Sequence, residues 1–535
     1  MRIQLVHPPV YLNVHAMTAL RPSMPLGLAY IGATLEQAGH EVSVIDAVAE
    51  APEQITSTGQ LHALGLLPDE IADRIDPETD IIGLTNMWSF SWPLVRTILK
   101  VLKERWPDKP IVAGGEHFTG LPELSLRDSP VDYIVLGEGE ETIVELLRCL
   151  ERGEADPGEL AGVAYRRGDD LVINERRARV QAVDAIPWPA WHLIDLKAYN
   201  DHGLLNGVNP GLGMTIPILA TRGCPYQCTY CSSPTMWTTR WYPRDPIDVA
   251  DEITQYVKTY GARNFPFQDL TAIVKKDWII AFCNEILKRK LDIVWQFPSG
   301  TRCEVIDDEV ADLLGRSGGR HLAFAPESGS ERTRKLIKKR MTEKGLMNAV
   351  SASVAHNLNI TAFLVIGFPH DTKEDLDETK KFVRRLAKSG IDDIAIGFYF
   401  PIPNTEIYRL LVDDGKVDYS DKSLMTPIFA NDEKLRPENN YCVELSAKDL
   451  TRTKYRLLMN FYGLSLLYHP GRFFKMMWNV VRGKETRKME TFLVELKRKS
   501  LLWVKAKLGR TKKAEVAGAA APAVTPVKSD EKLSV

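Results

Sequence analysis

Short apolar runs alternate with amphipathic helical segments over residues 1–430, and this alternation restricts the possible folds more than any other feature of the chain. Parallel strands joined by helices form doubly wound sheets with right-handed crossovers. The pattern therefore predicts an N-terminal α/β domain at 1–152 with a Rossmann-like, doubly wound parallel sheet. Its strands are expected in the runs RIQLVHPP, EVSVIDA, TDIIGLTN, KPIVAGGEH and VDYIVLGEGE.

Glycine, proline and polar residues follow these runs. Open parallel sheets bind ligands at the carboxyl ends of their strands. We therefore expect this domain to bind its ligand through loops at that edge. The residues concerned are Pro9, Asn86, Trp88, Gly114, Gly115, His117, Gly137 and Glu138.

Residues 153–212 are predicted to be a connector that contains one hairpin, because GVAYRRGDDLVINE has a turn between two alternating runs. A second strand and helix series occupies 213–430. Six strand–helix repeats predict a partial (β/α)6 barrel, whose chemistry is expected at the C-terminal ends of the strands. These strands are expected in IPILATRGC, NFPFQD, VWQFPSGTR, HLAFAPESGS, NITAFLVIGFP and IDDIAIGFYFPIP.

Three cysteines lie close together in RGCPYQCTYCSS, in the loop after the first barrel strand. Cys224, Cys228 and Cys231 can surround one face of a metal centre, and thiolate ligands favour zinc or an iron–sulfur cluster. A structural zinc site needs four ligands, and a distant residue such as Cys303 could supply the fourth. A [4Fe–4S] cluster held by three cysteines would instead leave one iron open to an exchangeable ligand.

The remaining cysteines stand singly in periodic segments and are expected to be buried thiols in a reducing compartment. No charged start is followed by the apolar segment of a signal peptide, and no apolar stretch reaches about 18 residues. Hydrophobic residues make up 44% of the chain and charged residues 26%, as in soluble globular proteins. We expect a cytoplasmic location.

The cysteine motif, with Tyr230 before its last cysteine, resembles that of the radical S-adenosylmethionine (SAM) enzymes. The resemblance implies a [4Fe–4S] cluster whose open iron binds SAM, and cleavage of SAM to methionine and a 5'-deoxyadenosyl radical. The segments AFAPESGSE, FLVIGFPHDTKED and FYFPIPNTE resemble later strand ends of the same family. They imply that SAM contacts Glu327, Ser328, Ile366 and Gly367 in addition to Tyr230.

Asn404 stands where the family usually has glycine, and asparagine tolerates a left-handed backbone. Asp269 and Arg302 follow the second and third barrel strands and are further candidates to contact SAM or substrate. The sequence singles out no residue that carries a chemical step by itself.

The N-terminal domain resembles the cobalamin (B12)-binding domain that precedes the barrel in a large subgroup of these enzymes. The matching segments are IVAGGEHFTGLPE and VDYIVLGEGEETIVELL. The resemblance implies that Gly114 and Gly115 let the backbone approach the dimethylbenzimidazole tail. HPPVYLNVH replaces the family's Asp-x-His-x-x-Gly loop, so no histidine is expected on cobalt from below. His117 is expected to contact the tail or to have a structural role.

Residues 431–513 are predicted to form a basic helical region and 514–535 a disordered tail. Arg472 to Lys513 contain 14 Lys and Arg against 3 Glu, a surplus of 14 − 3 = 11 positive charges. Basic helices with aromatic residues such as Phe473, Phe474, Trp478 and Trp503 can lie on anionic membranes. They could equally cover the barrel.

The domain order is similar to that of the anaerobic magnesium-protoporphyrin monomethyl ester cyclase group. We therefore expect a cobalamin-dependent radical SAM enzyme that either methylates an unactivated carbon or performs radical cyclisation or oxidation. The expected substrate is a small hydrophobic molecule such as a lipid, isoprenoid or tetrapyrrole, and the expected electron donor is a flavodoxin or ferredoxin. No nucleic-acid partner is expected, and a peripheral contact with the inner face of the cell membrane is a further hypothesis. The alternative is a non-catalytic corrinoid or iron–sulfur sensor.

Overall fold

The computed structural model describes residues 1–13, 16, 22–59, 61–205, 207–208 and 211–482, together with 484, 486–487, 489–490 and 493. The predicted second basic helix beyond 493, with Trp503, and the predicted tail at 514–535 lie outside these residues.

A mixed sheet with helices on both faces forms the first unit of the fold. Its elements are β1 (Arg2–His7), β2 (Val10–Leu12), α1 (Leu26–Gln37), β3 (Glu41–Asp46), α2 (Ala47–Glu50), β4 (Ile55–Ser57), β5 (His62–Leu64), α3 (Pro68–Ala72), β6 (Ile81–Thr85), α4 (Trp92–Arg105), β7 (Ile111–Gly114), α5 (Glu116–Gly120), α6 (Pro122–Asp128), β8 (Tyr133–Val135), α7 (Glu140–Glu151), β9 (Val163–Arg167) and β10 (Asp170–Ile173).

The parallel strands have the order β3-β1-β6-β7-β8, and all of them were predicted. Apolar residues of α1 and α7 pack on one face of the sheet, and those of α3 and α4 pack on the other. The fold is therefore doubly wound, as the sequence indicates. The strand order changes direction at β1. Because these strands are parallel, the carboxyl ends of β1, β6, β7 and β8 lie at the same edge of the sheet.

The predicted hairpin is present as β9 and β10, but it is not an isolated connector element. Strand β9 pairs antiparallel with β8 and so extends the first sheet. A small antiparallel sheet of β2, β5 and β4, which was not predicted, lies beside it. Its strands have only three residues each, too few to produce a clear alternating pattern.

A sheet of parallel strands alternating with helices follows. Its elements, with the short connector helix first, are α8 (Leu196–Asp201), β11 (Met214–Thr215), β12 (Thr221–Arg222), α9 (Ser233–Trp237), β13 (Tyr242–Pro243), α10 (Pro246–Tyr260), β14 (Ala262–Pro266), α11 (Lys276–Arg289), β15 (Val294–Thr301), α12 (Asp308–Arg316), β16 (Gly319–Glu327), α13 (Glu331–Leu336), α14 (Glu343–Ala355), β17 (Asn359–Ile366), α15 (Lys373–Ser389), β18 (Asp393–Phe398), α16 (Glu406–Asp413) and α17 (Asp421–Met425).

Six parallel strands in the order β11-β14-β15-β16-β17-β18 form the predicted partial barrel. The first strand, β11, has only two residues and lies just before the predicted run IPILATRGC. Pro217 has no N–H to donate to a neighbour, and pairing with β14 continues only through the N–H groups of Ile216 and Ile218. The chain then leaves the barrel as β12, which pairs antiparallel with β13.

The two units share one apolar core. Ala29 of α1 and Val48 of α2 belong to the same buried cluster as Ile218 and Phe267 of the barrel. Because this surface is apolar and continuous, the carboxyl-end loops of the first sheet are held against the barrel.

Buried polar side chains occur near the amino ends of the barrel strands. Gln296 is central among them. Its Nε2 donates to Asn264 Oδ1 at 3.0 Å and to the carbonyl of Val208 at 2.8 Å, and its Oε1 accepts from Val208 N–H at 2.9 Å. Asn264 in turn donates to Thr215. These bonds attach the connector to the base of the barrel.

The C-terminal region begins with the predicted helices, α18 (Ala447–Tyr468) and α19 (Pro470–Val481). Helix α18 packs against α15 and covers β18. No helix among the described residues combines the length and apolar composition needed to cross a bilayer.

Replacing Gln296 with leucine should lower the free energy of unfolding by about 2–4 kcal/mol, because each buried polar group left without a partner costs about 1–3 kcal/mol. Chemical denaturation followed by circular dichroism measures the change. The matched control is Gln255→Leu, since Gln255 is exposed on α10. Equal unfolding midpoints for the two variants would contradict this account of the barrel base.

Candidate active site at the barrel mouth

The cysteine loop connects β12 to α9 at the carboxyl ends of the barrel strands, a rim that we call the barrel mouth. Cys224, Cys228 and Cys231 are all partly exposed there. The loop is fixed at its centre, because Thr229 N–H donates to the carbonyl of Ile337 and the carbonyl of Thr229 accepts from Ile407 N–H. The three thiols therefore project from a braced loop.

Two cations lie beside these thiols. Burial raises the pKa of Cys228, whereas Lys339 and Arg302 act to lower it. The same two side chains act to lower the pKa of Cys224. Cys231 is the most deeply buried of the three, and burial raises its pKa to about 12. Positive charge next to three thiols suits an anionic iron–sulfur cluster, which requires them as thiolates.

The zinc alternative requires a fourth ligand near the loop. Cys303 is buried after β15, and among the described residues no three His, Cys, Asp or Glu side chains are arranged to hold a single metal ion.

Glu327 lies at the end of β16 with its backbone in the left-handed region, at a φ of 63°. This conformation is uncommon for a residue other than glycine and often marks a functional position. Its Oε1 is 3.2 Å from Lys339 Nζ, and it forms a hydrogen bond with the Tyr230 hydroxyl. Tyr230 also contacts the ring of Phe368 edge to face. Glu327 and Tyr230, predicted separately from distant segments, are therefore in contact.

The other predicted SAM contacts already pack against or bond to neighbouring residues of the protein. Ser328 Oγ faces Thr379 of α15 at 3.4 Å and accepts from Ser330 N–H. Ile366 is fully buried at the end of β17. Gly367 touches Leu450 of α18 closely enough that a Cβ would lie 2.9 Å from it.

Asp269 and Asn404 complete the rim. Thr221 Oγ1 donates to Asp269 at 2.6 Å and Ala220 N–H donates at 3.3 Å, so this carboxylate holds the base of the cysteine loop. Burial raises the pKa of Asp269 to about 6. Asn404 has a φ of 66°, as the substitution for glycine predicts. Arg302 stacks on the ring of Tyr226 within the cysteine motif, 4.0 Å from its centroid.

A narrow cavity lies between the first unit and the barrel interior. Apolar groups dominate its wall. The residues that line it are Ser23, Met24, Leu205, Thr215, Pro217, Pro266 and Gln268.

The predicted corrinoid loops lie at the carboxyl edge of the first sheet. Gly115 has a φ of 107°, and a Cβ there would lie 2.7 Å from the carbonyl oxygen of Asn86, so only glycine fits. The Asn86 side-chain amide nitrogen is buried without a hydrogen-bond partner. Trp88 is 58% exposed. The glycine thus lets the 86 and 115 backbones pack together, next to a large exposed ring and an unpartnered amide that a ligand could contact.

His117 is buried and stacks on Trp92 with ring centroids 4.5 Å apart. Its Nδ1 is 3.0 Å from Ser89 Oγ, and burial lowers its pKa to about 3. A neutral, packed imidazole supports the structural role.

Pro9 lies against Gly65, and Gly114 and Gly137 have no side chain within 4 Å of an added Cβ.

Glu138 is held by basic partners. Arg179 Nε lies 3.2 Å and Arg222 Nη1 3.3 Å from its carboxylate, so a contact between this carboxylate and a corrinoid would compete with two ion pairs. Arg222 also donates to Glu140 at 2.5 Å. Glu140 lies in a strand-end segment that the sequence singled out for ligand binding, whereas the sequence indicated no role for Arg222 or Lys339. Their partners are distant in the chain and only the fold brings them together.

A second contact links the same edge of the first sheet to the cysteine loop. Ser232 Oγ, directly after Cys231, donates to Glu116 of α5. Arg176 donates to the carbonyls of Thr119 and Thr235, at 2.8 and 2.7 Å, and so joins α5 to α9. The loops predicted to hold the corrinoid are thus in contact with the loop that carries the thiols.

Comparison with known proteins agrees with this geometry. The B12 binding domain family matches residues 14–147, and the Radical SAM superfamily matches residues 218–398. An uncharacterized methyltransferase, PH0819 of Pyrococcus horikoshii, is 30% identical over 413 residues, which cover 77% of this chain and 83% of the relative. The anaerobic magnesium-protoporphyrin IX monomethyl ester cyclase of Rubrivivax gelatinosus is 26% identical over 446 residues, covering 82% and 75%.

The solved structure of the radical SAM methyltransferase TsrM from Kitasatospora setae, with cobalamin and a [4Fe–4S] cluster bound, has the same fold. Its TM-score is 0.59 at 17% identity, and the match covers 77% of this chain and 78% of that one.

This chain belongs to the radical SAM enzymes that carry a B12-binding domain. Its cofactors are a [4Fe–4S] cluster, SAM and cobalamin. The named relatives are enzymes, which favours a catalytic protein over the corrinoid or iron–sulfur sensor.

Asp269 should make the stability of the protein depend on pH. Its pKa of about 6 in the folded state lies above the ordinary value, so its contribution is full below pH ~4 and is lost as pH rises through ~6. As the pH rises through that range, the free energy of unfolding of Asp269→Asn should fall by up to about 2–3 kcal/mol less than that of the wild type. Unfolding free energies measured at several pH values provide the test. Asp292→Asn, at an exposed carboxyl, should follow the wild type, and parallel curves for all three proteins would refute the assignment.

Proposed function

We propose that this enzyme methylates an unactivated carbon of a small hydrophobic substrate, with cobalamin carrying the methyl group from SAM. The contact of Glu116 and Glu138 with the two ends of the cysteine loop supports this most directly. A methyl carrier and a radical source must act on one substrate, and such contacts place their two proposed binding regions beside each other. The 30% identical relative is also described as a methyltransferase.

Radical cyclisation or oxidation is the second candidate, because the cyclase relative spans 82% of this chain. Both reactions begin with reductive cleavage of SAM at the cluster, which supplies a 5'-deoxyadenosyl radical. Both also need a one-electron donor, for which a flavodoxin or ferredoxin is the proposed partner. The candidates differ in whether a second SAM gives up its methyl group.

In this proposal Cys224, Cys228 and Cys231 ligate the cluster. Lys339 and Arg302 offset its negative charge, as they do for the thiols. Glu327, held by Lys339 and Tyr230 in a left-handed backbone, accepts hydrogen bonds from the ribose or amino group of SAM. Because both of its partners are already in place, the carboxylate is oriented before SAM binds.

The backbone at 366–367 and at Ser328 lines the adenine side of the same site. Cobalamin contacts the loops at 86–88, 114–117 and 137–138, with Pro9 beside them. His117 remains packed in the sheet and does not bind cobalt, because its ring is buried between Trp92 and Ser89.

The reaction is tested on anaerobically reconstituted protein with cobalamin, a chemical reductant and methyl-deuterated SAM. Wild type should hold about four iron per chain and release both S-adenosylhomocysteine and 5'-deoxyadenosine. Cys228→Ala should lose the iron and the 5'-deoxyadenosine, whereas the control Cys303→Ala should keep both. Release of 5'-deoxyadenosine without S-adenosylhomocysteine would favour cyclisation, and bound zinc without iron would overturn the proposal.

We propose further that the C-terminal helices meet an anionic lipid surface. Residues 447–482 contain seven Lys and Arg against one Asp. Helices α18 and α19 expose large apolar side chains, among them Leu467 at 72% and Trp478 at 57%. An exposed apolar patch on a basic helix pair matches the chemistry of anionic membranes. Each basic residue at such a surface adds on the order of 1 kcal/mol at low salt.

Flotation with phosphatidylglycerol vesicles tests this contact. Wild type should float with the vesicles at low salt and stay behind at high salt, because salt screens the attraction. The double variant Leu467→Glu, Trp478→Glu should not float, since it loses apolar contact and adds negative charge. The control Leu410→Glu, at an exposed apolar residue of α16, should float like wild type. No flotation of wild type would leave α18 and α19 as a cover for the barrel.

A further inference from the structure

We infer that Arg222 is a positioning residue: with Glu138, Glu140 and Arg179 it fixes the corrinoid-side loop of the first sheet relative to the cysteine loop. We call these four side chains the charge clamp. The inference rests on the cofactor sites proposed above and assigns to the clamp the control of the distance between cobalt and cluster.

The charge clamp joins residues that lie next to the two proposed cofactor sites in the sequence. Arg222 lies two residues before Cys224. Glu138 and Glu140 lie in and directly after the glycine loop that follows β8. The guanidinium bonds to both carboxylates, at 3.3 and 2.5 Å. A planar guanidinium that bonds to two carboxylates fixes direction as well as distance.

Burial makes these contacts strong. The Arg222 and Glu138 side chains are only 6% and 7% exposed. Burial acts to raise the pKa of Glu140, but Arg222 more than offsets it and holds the pKa below its ordinary value. Charges removed from water are held firmly by their partners, and their geometry can specify one arrangement of neighbouring elements. A sliding contact between the two units would expose or separate these charges.

Arg179 is the second arginine of the charge clamp. It pairs with Glu138 and donates to the carbonyl of Trp237 at 2.6 Å. An added Cβ at Gly223 would collide with Arg179 and with the carbonyl of Arg240, so only glycine leaves room for Arg179 beside the stem of the cysteine loop.

The far end of the cysteine loop is held by the same sheet edge, where Ser232 donates to Glu116. Carboxylates from two corrinoid-side loops therefore hold the cysteine loop before its first cysteine and after its last. This arrangement is more than general stabilisation requires, because the shared apolar core already joins the two units.

The test uses the spins of the two cofactors. Cob(II)alamin and the reduced cluster are both paramagnetic, and the coupling between them in electron paramagnetic resonance reports their separation. Wild-type holoenzyme should show one well-defined coupling. Arg222→Lys keeps the charge but replaces the planar, directional guanidinium with a compact ammonium on a flexible stem, so its coupling should be weaker or spread over several values. The coupling in Glu138→Gln should change in the same direction.

The matched control is Asp392→Asn. It removes the charge of a buried carboxylate paired with Arg487 at 2.9 Å, away from the clamp, and should keep the wild-type coupling.

Product ratios give a second readout. In Arg222→Lys the ratio of S-adenosylhomocysteine to 5'-deoxyadenosine should fall about tenfold, because a displacement of about an ångström between reacting groups can cost that much or more. Iron and cobalamin contents are measured first in every protein. Wild type that binds neither cofactor would refute the proposed function. Variants that load both cofactors and keep the wild-type coupling would refute the positioning role, even if their melting temperatures fall.

Discussion

Parallel strands deliver their loops to one edge, and the whole active site depends on two such edges facing each other. The first sheet presents the ends of β6, β7 and β8, and the barrel presents those of β11 and β14 to β18. An apolar core that includes Ala29, Val48 and Phe267 closes the contact between them. Backbone pairing fixes both edges. Loops that are as far apart in the chain as residues 86 and 367 therefore meet, although the loops themselves have no regular structure.

The strands and the larger helices could be predicted because their signals are local. Apolar alternation identified every parallel strand of the first sheet, and the cysteine spacing identified the loop at the barrel mouth. Local signals fail where tertiary pairing decides. The short β2, β4 and β5 have no pattern, the first barrel strand lies before its predicted run, and β9 pairs with a sheet to which no local pattern connects it.

The ionic partners of the site could not be predicted for the same reason. Arg222 and Glu138 are 84 residues apart, and Lys339 lies in a basic run that resembles an ordinary exposed helix end. Charged residues are common at surfaces, so sequence alone gives no reason to select these. Burial gives them their importance, since a buried charge without a partner would be costly. Glu138 was predicted as a ligand residue, and the structure gives its carboxylate ion pairs to two arginines.

Asn404 illustrates how a departure from a family pattern can be used by the fold. The left-handed backbone explains why asparagine is tolerated, but not what its side chain does. Its side-chain amide lies against Gly120 at the end of α5, where a Cβ would collide with it, whereas its backbone carbonyl accepts from the Thr235 hydroxyl of α9, as a glycine carbonyl could. A glycine at 404 would leave that space empty. The substitution thus adds a contact between the sixth barrel strand and the first sheet, on the side where Glu116 already holds the cysteine loop.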